Sequence, residues 1–293
     1  MSPVTISIPT VLRDASIRDG RGWWLDQLPV IVEMLQRRWL LSLGPPFEPG
    51  GQTAWVAPAS DEAGNEVVLK VAWRHTEAEH EADGLRTWNG TGAVRLRRVE
   101  RFTHSVALLL ERCRPGTSLS GRPESEQDVV IAGLLERLWL EPAPGRPFRP
   151  LQAMCAEWAD EFEWANGSLS LPGGDRGLVR DGIALFRSLP STADRCVLLC
   201  TDLHAGNVLA AEREPWLIID PKPYVGDPTF DVLQHLLSCD ERLRADPRGL
   251  AHRMAELLEL DHDRLMLWLF ARCVQESPNS ARLGELARRI APA

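Results

Sequence analysis

Between Val197 and Asp231 the chain holds two short apolar runs, each ending in an aspartate, with a tight polar loop between them. Val197-Leu198-Leu199 leads into Thr201-Asp202-Leu203-His204-Ala205-Gly206-Asn207, then Val208-Leu209 and Trp216-Leu217-Ile218-Ile219 lead to Asp220-Pro221. Apolar runs this short, bounded by charged and proline-containing segments, read as buried strands. The sequence therefore predicts a small hairpin over 197–231 with Asp202, Asn207 and Asp220 converging at its ends.

That trio suits phosphoryl transfer. One carboxylate orients an attacking hydroxyl and receives its proton, while an amide oxygen and a second carboxylate are the hard ligands that Mg²⁺ prefers. Spacing alone carries little weight: with 18 Asp and 5 Asn in 293 residues, an Asp followed five positions on by Asn arises by chance roughly 0.3 times. The context decides.

Upstream, Trp23, Leu28, Ile31, Leu35 and Trp39 recur at helical spacing and predict one amphipathic helix over 19–39, with Trp23 and Trp39 as core residues. Strands are predicted at 40–43, 55–57 and 67–73, with Gly50-Gly51 in the first connecting loop. A glycine pair allows backbone N–H groups to approach phosphate, although a plain hairpin turn is the commoner reading. Lys70 says more, because a lysine inside an apolar strand needs an anion. The acidic segment 76–88 is predicted to be a helix carrying that anion, Glu81 first and Glu77 second. Strands at 94–96 and 106–110 complete a sheet-rich first domain, 1–113, and an adenine would lie against the backbone of Glu111 to Cys113.

From 114 to 293 the chain turns helical, with helices predicted at 128–140, 151–165, 179–189, 229–239, 247–260 and 262–276 and a Gly/Ser/Pro-rich loop at 166–177. The six cysteines lack a C-x-x-C pair and read as reduced thiols; Cys196, Cys200 and His204 are poorly spaced for zinc. A net charge of −8 argues against a nucleic-acid partner and favours a cationic small molecule. No run approaches the ~18 apolar residues of a membrane span, and the N-terminus lacks a signal-peptide pattern, so a cytoplasmic protein, monomeric in the simplest reading, is expected.

A strand lysine, a helix glutamate, a linker, then T-D-L-H-A-G-N-V-L and I-D-P-K-P with G-D-P-T-F-D resemble the aminoglycoside phosphotransferases, and within them the streptomycin 6-phosphotransferase and hydroxyurea phosphotransferase branch. The resemblance implies an α+β, two-lobed protein-kinase-like fold, with a small antiparallel-sheet N-lobe and a larger, mostly helical C-lobe. It implies ATP and Mg²⁺ as cofactors, Asp202 as catalytic base, Asn207 and Asp220 as metal ligands, Lys70 as phosphate-binding lysine and Glu81 as its partner. The acceptor would be a hydroxyl of an aminoglycoside or of hydroxyurea, as in antibiotic resistance. A metabolic sugar or amino-sugar kinase and a non-catalytic nucleotide-binding module are the alternatives.

Asp231 would cap the following helix and brace the catalytic loop; Asp227 reads as a turn or cap residue, and His204 as a loop brace. One position departs from the pattern, since Cys200 stands where a bracing histidine is usual. Only residues 221–225 separate Asp220 from Gly226-Asp227-Pro228, which leaves no activation segment for a peptide substrate. For a cationic acceptor the candidate carboxylates are Glu157, Asp160, Asp240, Glu241 and Glu276.

Overall fold

The computed structural model describes residues 6–142, 145, 147–166 and 175–292. The chain forms two compact units, Met1–Gly116 with Ala211–Arg213, and Thr117–Ala210 with Glu214–Ala293.

The first unit opens with three helices, α1 (Thr10–Arg18), α2 (Gly22–Leu25) and α3 (Leu28–Trp39). The single helix expected over 19–39 is thus broken at Asp26–Gln27, because α3 starts afresh with Pro29 in its first turn, a position that needs no N–H donor. Trp24, four residues before Leu28, is the tryptophan at helical spacing with Leu28, Ile31 and Leu35. Trp23 is 45% exposed, while its neighbour Trp24 is fully buried and donates from Nε1 to Ser105 Oγ at 2.8 Å. Trp39 is in the core as expected.

The strands are β1 (Ser42–Leu43), β2 (Ala54–Ser60) and β3 (Glu66–Trp73), then helix α4 (Glu81–Trp88), β4 (Leu96–Arg101) and β5 (Ser105–Glu111). They form one antiparallel sheet in the order β1-β2-β3-β5-β4. The strand predicted from residue 40 starts at 42, because Leu40 closes α3 in a left-handed conformation, and Val94 lies buried ahead of β4. Side chains alternate across β3, so Val67, Leu69 and Val71 enter the core with Trp55, Ala107 and Leu109. Lys70 is left on the other face. The helix predicted over 76–88 is a 3₁₀ turn at Thr76–Ala78 followed by α4, whose first residue is Glu81.

The second unit contains α5 (Glu124–Leu138), β6 (Arg149–Pro150), α6 (Leu151–Asn166), α7 (Arg176–Ser188), β7 (Val197–Leu199), β8 (Val208–Ala210), β9 (Trp216–Ile218) and β10 (Tyr224–Gly226). Six helices follow: α8 (Pro228–Asp231), α9 (Leu233–Ser238), α10 (Asp240–Ala245), α11 (Pro247–Leu258), α12 (His262–Glu276) and α13 (Ala281–Ile290). Helix α12 is its apolar spine, burying Leu265, Trp268, Leu269, Ala271, Cys273 and Val274. Gly182 of α7 lets the two helices meet closely, since a Cβ there would lie 2.6 Å from Val274 Cγ2. The helix predicted at 229–239 is split into α8 and α9, and α10 and α13 were not anticipated. Of the predicted loop at 166–177, residues 167–174 lie outside the described residues; Asn166 ends α6, and Arg176 and Gly177 begin α7.

Asp128, expected only to begin a helix, is fully buried inside α5. Its carboxylate is bound by His235 Nε2 at 2.9 Å and accepts from Arg242 at 2.8 Å and Arg253 at 2.7 Å, tying α5 to α9, α10 and α11. Burial pushes its pKa up, but hydrogen bonds from His235, Arg242 and Arg253 outweigh burial and hold it well below the ordinary carboxylate range. Cys239 Sγ lies 3.8 Å from His235 Nε2, yet the two guanidinium groups on Asp128 mark this cluster as an ion-pair hub. All six cysteines are free thiols. Among the described residues, no helix is long and apolar enough to cross a membrane.

Candidate active site

In the second unit the buried strand β7 runs into a turn that is held from below. Asp231, fully buried, accepts from Cys200 N at 2.9 Å, Thr201 N at 2.5 Å and Trp139 Nε1 at 3.1 Å. Cys200 O in turn accepts from Asp202 N at 2.8 Å and Lys222 N at 2.9 Å, and Thr201 Oγ1 donates to Lys222 O at 2.6 Å. These bonds hold Thr201 at φ 53°, a left-handed conformation that costs a non-glycine residue about 1–3 kcal/mol. Five described non-glycine residues have positive φ; Leu40, Asn89 and Glu259 end helices, and the other two are Thr201 and Asp220. The strained backbone therefore flanks the acidic cluster.

The three predicted residues do meet. Asn207 Nδ2 donates to Asp202 O at 2.9 Å and lies 3.4 Å from Asp202 Oδ2, while Ile219 N donates to Asn207 O at 2.9 Å and delivers Asp220 next in the chain. With its amide nitrogen turned to Asp202, Asn207 has Oδ1 as the atom to offer a cation. Lys222, to which the sequence assigned no role, sits among them: its Nζ is 2.6 Å from Asp220 Oδ1 and 3.9 Å from Asp202 Oδ2.

The bracing residues divide as follows. His204 Nδ1 accepts from Gly206 N at 3.1 Å, which leaves its proton on Nε2 and fixes the turn. Asp227 caps α8 through Thr229 N and accepts from Arg264 Nε at 2.7 Å and Trp268 Nε1 at 2.6 Å. Asp231 braces the loop as expected, but it does not cap the next helix: it is the last residue of α8, and its carboxylate turns to residues 200 and 201. At Cys200 it is the backbone that is held. The thiol is fully buried, its pKa pushed far up by burial and then by the charges of Asp231 and Asp202.

Burial likewise raises the Asp231 carboxyl from 3.8 to about 6, against hydrogen bonds from Cys200, Thr201 and Trp139 that favour the charged form. A raised acid binds its proton in the folded chain before the unfolded chain does, so this group favours folding at low pH and loses that contribution as pH rises from about 4 to 6. The charged form that accepts both loop N–H groups prevails only above about 6. Turnover is expected to fall as pH drops through that value, and Asp231→Asn, which cannot titrate, should lack this limb. The same acidic limb in both pH profiles would refute the assignment.

In the first unit, Lys70 Nζ is 2.7 and 2.8 Å from the two Glu81 oxygens, with both side chains buried. Glu81, not Glu77, is the partner seen, because it opens α4 directly across from Lys70 on β3. The glycine pair divides. Gly50, at φ 80°, is required by packing, since a Cβ there would lie 2.7 Å from Pro9 Cβ, whereas a side chain at Gly51 would meet nothing within 4 Å.

Glu111 is likewise committed to structure. Its N–H donates to Arg95 O at 2.9 Å, and its carboxylate pairs with Arg213 at 2.8 Å, so that N–H is taken and cannot serve an adenine. Arg213 also donates to the carbonyls of Gly90 and Ala93 and was missed in the sequence. Burial, then the Glu111 charge, pushes the Cys113 thiol up to about 11. Among the acceptor candidates, Glu157 pairs with Arg149, Asp160 with Arg187, Asp240 with Arg282 and Glu276 with Arg272; Glu241 is exposed.

A sheet-rich unit with a buried Lys–Glu pair, followed by a helical unit presenting Asp202, Asn207 and Asp220, defines a protein-kinase-like phosphotransferase. The crystal structure of aminoglycoside phosphotransferase APH(4)-Ia with ADP and hygromycin B shares the fold at TM-score 0.61 and 14% identity, over 89% of this chain and 99% of that one. Choline kinase LicA from Streptococcus pneumoniae does so at TM-score 0.60 and 12% identity, over 89% and 98%. Residues 38–284 match the aminoglycoside/hydroxyurea antibiotic resistance kinases, and the chain belongs to that family. It is 37% identical over 262 residues to streptomycin 6-kinase of Streptomyces glaucescens, covering 87% of this chain and 83% of that one. It is also 37% identical over 291 residues to hydroxyurea phosphotransferase of Kitasatospora aureofaciens, covering 96% and 82%. The enzyme is thus a small-molecule kinase that uses a nucleotide.

Proposed function

We propose that this enzyme transfers the γ-phosphoryl group of ATP to a hydroxyl of an aminoglycoside of the streptomycin type or of hydroxyurea, acting in the cytoplasm and conferring resistance. The observation that carries the chemistry is the Asp202–Asn207–Asp220 cluster on a loop strained at Thr201 and Asp220. Family membership and the two curated relatives support the acceptor class.

Asp202 receives the proton of the acceptor hydroxyl as its oxygen bonds to phosphorus and the bond to ADP breaks. Lys70, held on Glu81, steadies the nucleotide phosphates, and Glu81 keeps the ammonium in place. The donor set fits Mg²⁺: Asp220 Oδ1 and Asn207 Oδ1 are hard oxygens on one loop system. When bound, that ion neutralises charge on the phosphates. The short stretch from Asp220 to Gly226, whose last three residues are β10 paired with β7 and β6, supports a small acceptor over a peptide.

Asp220→Ala is expected to weaken binding of the Mg–nucleotide at least about tenfold, the usual cost of disturbing a metal site, with little change in Mg-free nucleotide binding. Calorimetry with and without Mg²⁺ checks this, and equal affinities in both would remove Asp220 from the metal site. The acceptor is tested by ADP release with streptomycin, other aminoglycosides, hydroxyurea and amino sugars. Stimulation by streptomycin or hydroxyurea supports the proposal, and stimulation by amino sugars alone replaces it with a metabolic kinase.

A further inference from the structure

The sequence contains two lysines against 31 arginines. Both ammonium groups lie on carboxylates of the proposed machinery: Lys70 on Glu81 at 2.7 Å and Lys222 on Asp220 at 2.6 Å. Arginine offers a planar, fixed fork, whereas lysine is a compact point charge on a flexible stem. A chain that meets nearly every other cationic need with arginine has kept a movable ammonium at these two places.

At Lys222 the anchor is rigid. Its N–H donates to Cys200 O at 2.9 Å, its carbonyl accepts from Thr201 Oγ1 at 2.6 Å, and Pro221 and Pro223 flank it. Only the stem can move. Nζ contacts Asp220 Oδ1 at 2.6 Å and the Asp220 carbonyl at 3.3 Å, and Asp202 Oδ2 is already within 3.9 Å. An Asp220 oxygen that holds an ammonium this closely cannot also ligate a divalent cation, because the two cations would repel at contact distance. Metal on that oxygen therefore requires Lys222 to leave it, and Asp202 Oδ2, 3.9 Å from Nζ, is the anionic group next within reach.

We propose that Lys222 is a movable catalytic ammonium: the counter-ion of Asp220 before the metal–nucleotide arrives, then displaced onto the γ-phosphoryl group being transferred beside Asp202. This rests on the phosphotransferase reading above. It makes Lys222 both a competitor of the metal and a ligand of the one phosphate that ADP lacks.

The test uses the full chain with Lys222→Met and Lys222→Arg. Binding of Mn²⁺ to the nucleotide-free protein, followed by electron paramagnetic resonance, should be tighter in Lys222→Met by about tenfold or more, and close to wild type in Lys222→Arg, which keeps the charge. With Mg²⁺ present, Lys222→Met should lose about tenfold or more in affinity for AMP-PNP while its affinity for ADP stays within about twofold, the difference expected of one charge-assisted contact to the γ-phosphate. Unchanged Mn²⁺ affinity, or equal losses for the two nucleotides, would overturn the proposal while leaving the phosphotransferase reading intact. A wild-type chain that binds neither nucleotide would overturn both.

Discussion

Asp202→Ala is expected to lower turnover by about 10²–10⁴, the usual worth of a positioned general base. The backbone of Asp202 is held by its own N–H on Cys200 O and by the Asn207 amide on its carbonyl, and the same amide lies 3.4 Å from its Oδ2. The substitution removes the proton acceptor and leaves Lys70, Glu81, Asn207 and Asp220 in place. Nucleotide affinity should therefore change by less than about threefold, because phosphate and metal contacts dominate binding in this class of site. Steady-state kinetics and nucleotide titration separate the two effects. Turnover near wild type would remove Asp202 as the base, and a parallel loss of nucleotide binding would make it a binding residue.

The largest expected effect on stability lies away from the chemistry. Asp128→Ala should destabilise the protein by about 3–5 kcal/mol, the range for breaking a buried ion pair by removing one partner. The variant leaves two guanidinium groups and His235 facing a cavity where a fully buried carboxylate had bound all three. Because the carboxyl is held below its ordinary value, its stabilising contribution is present above about pH 4 and is lost on further acidification. The deficit of the variant, measured by urea denaturation, should accordingly be full at neutral pH and narrow in acid. A change below about 1 kcal/mol at neutral pH would show that the hub is not structural.

Some of this was legible in the sequence for a physical reason. A lysine in an apolar strand cannot be left unpaired, so Lys70 announced an anion, and the following acidic helix supplied Glu81. The two apolar runs ending in Asp202 and Asp220 announced a convergence of charge, because strands that short are stable only when buried and paired. What escaped was whatever depends on partners far along the chain. Asp128 is 107 residues from His235, and Arg213 is 102 residues from Glu111, so no local pattern marks either pair. Trp23 was misassigned because the wrong member of the tryptophan pair was counted: Trp24, four residues before Leu28, is the one at helical spacing with Leu28, Ile31 and Leu35, and it is the one inside. Lys222 stood in plain view in I-D-P-K-P, but its meaning lies in a backbone pinned to Cys200 and Thr201, which only the fold reveals. At residue 200, where the family pattern has a histidine, the backbone N–H of Cys200 is held by Asp231 and its thiol is buried.

The central claim is that the Asp202 cluster moves a phosphoryl group from ATP to an acceptor hydroxyl. It is tested most directly by following ³¹P resonances while the enzyme, Mg–ATP and streptomycin or hydroxyurea react, in wild type and in Asp202→Ala. The account predicts that ADP and a new phosphorylated-acceptor resonance rise together in equal amounts in the wild type, and that both are lost in Asp202→Ala. ADP appearing with free phosphate and no phosphorylated acceptor, or a phosphorylated acceptor formed at the wild-type rate by Asp202→Ala, would contradict it.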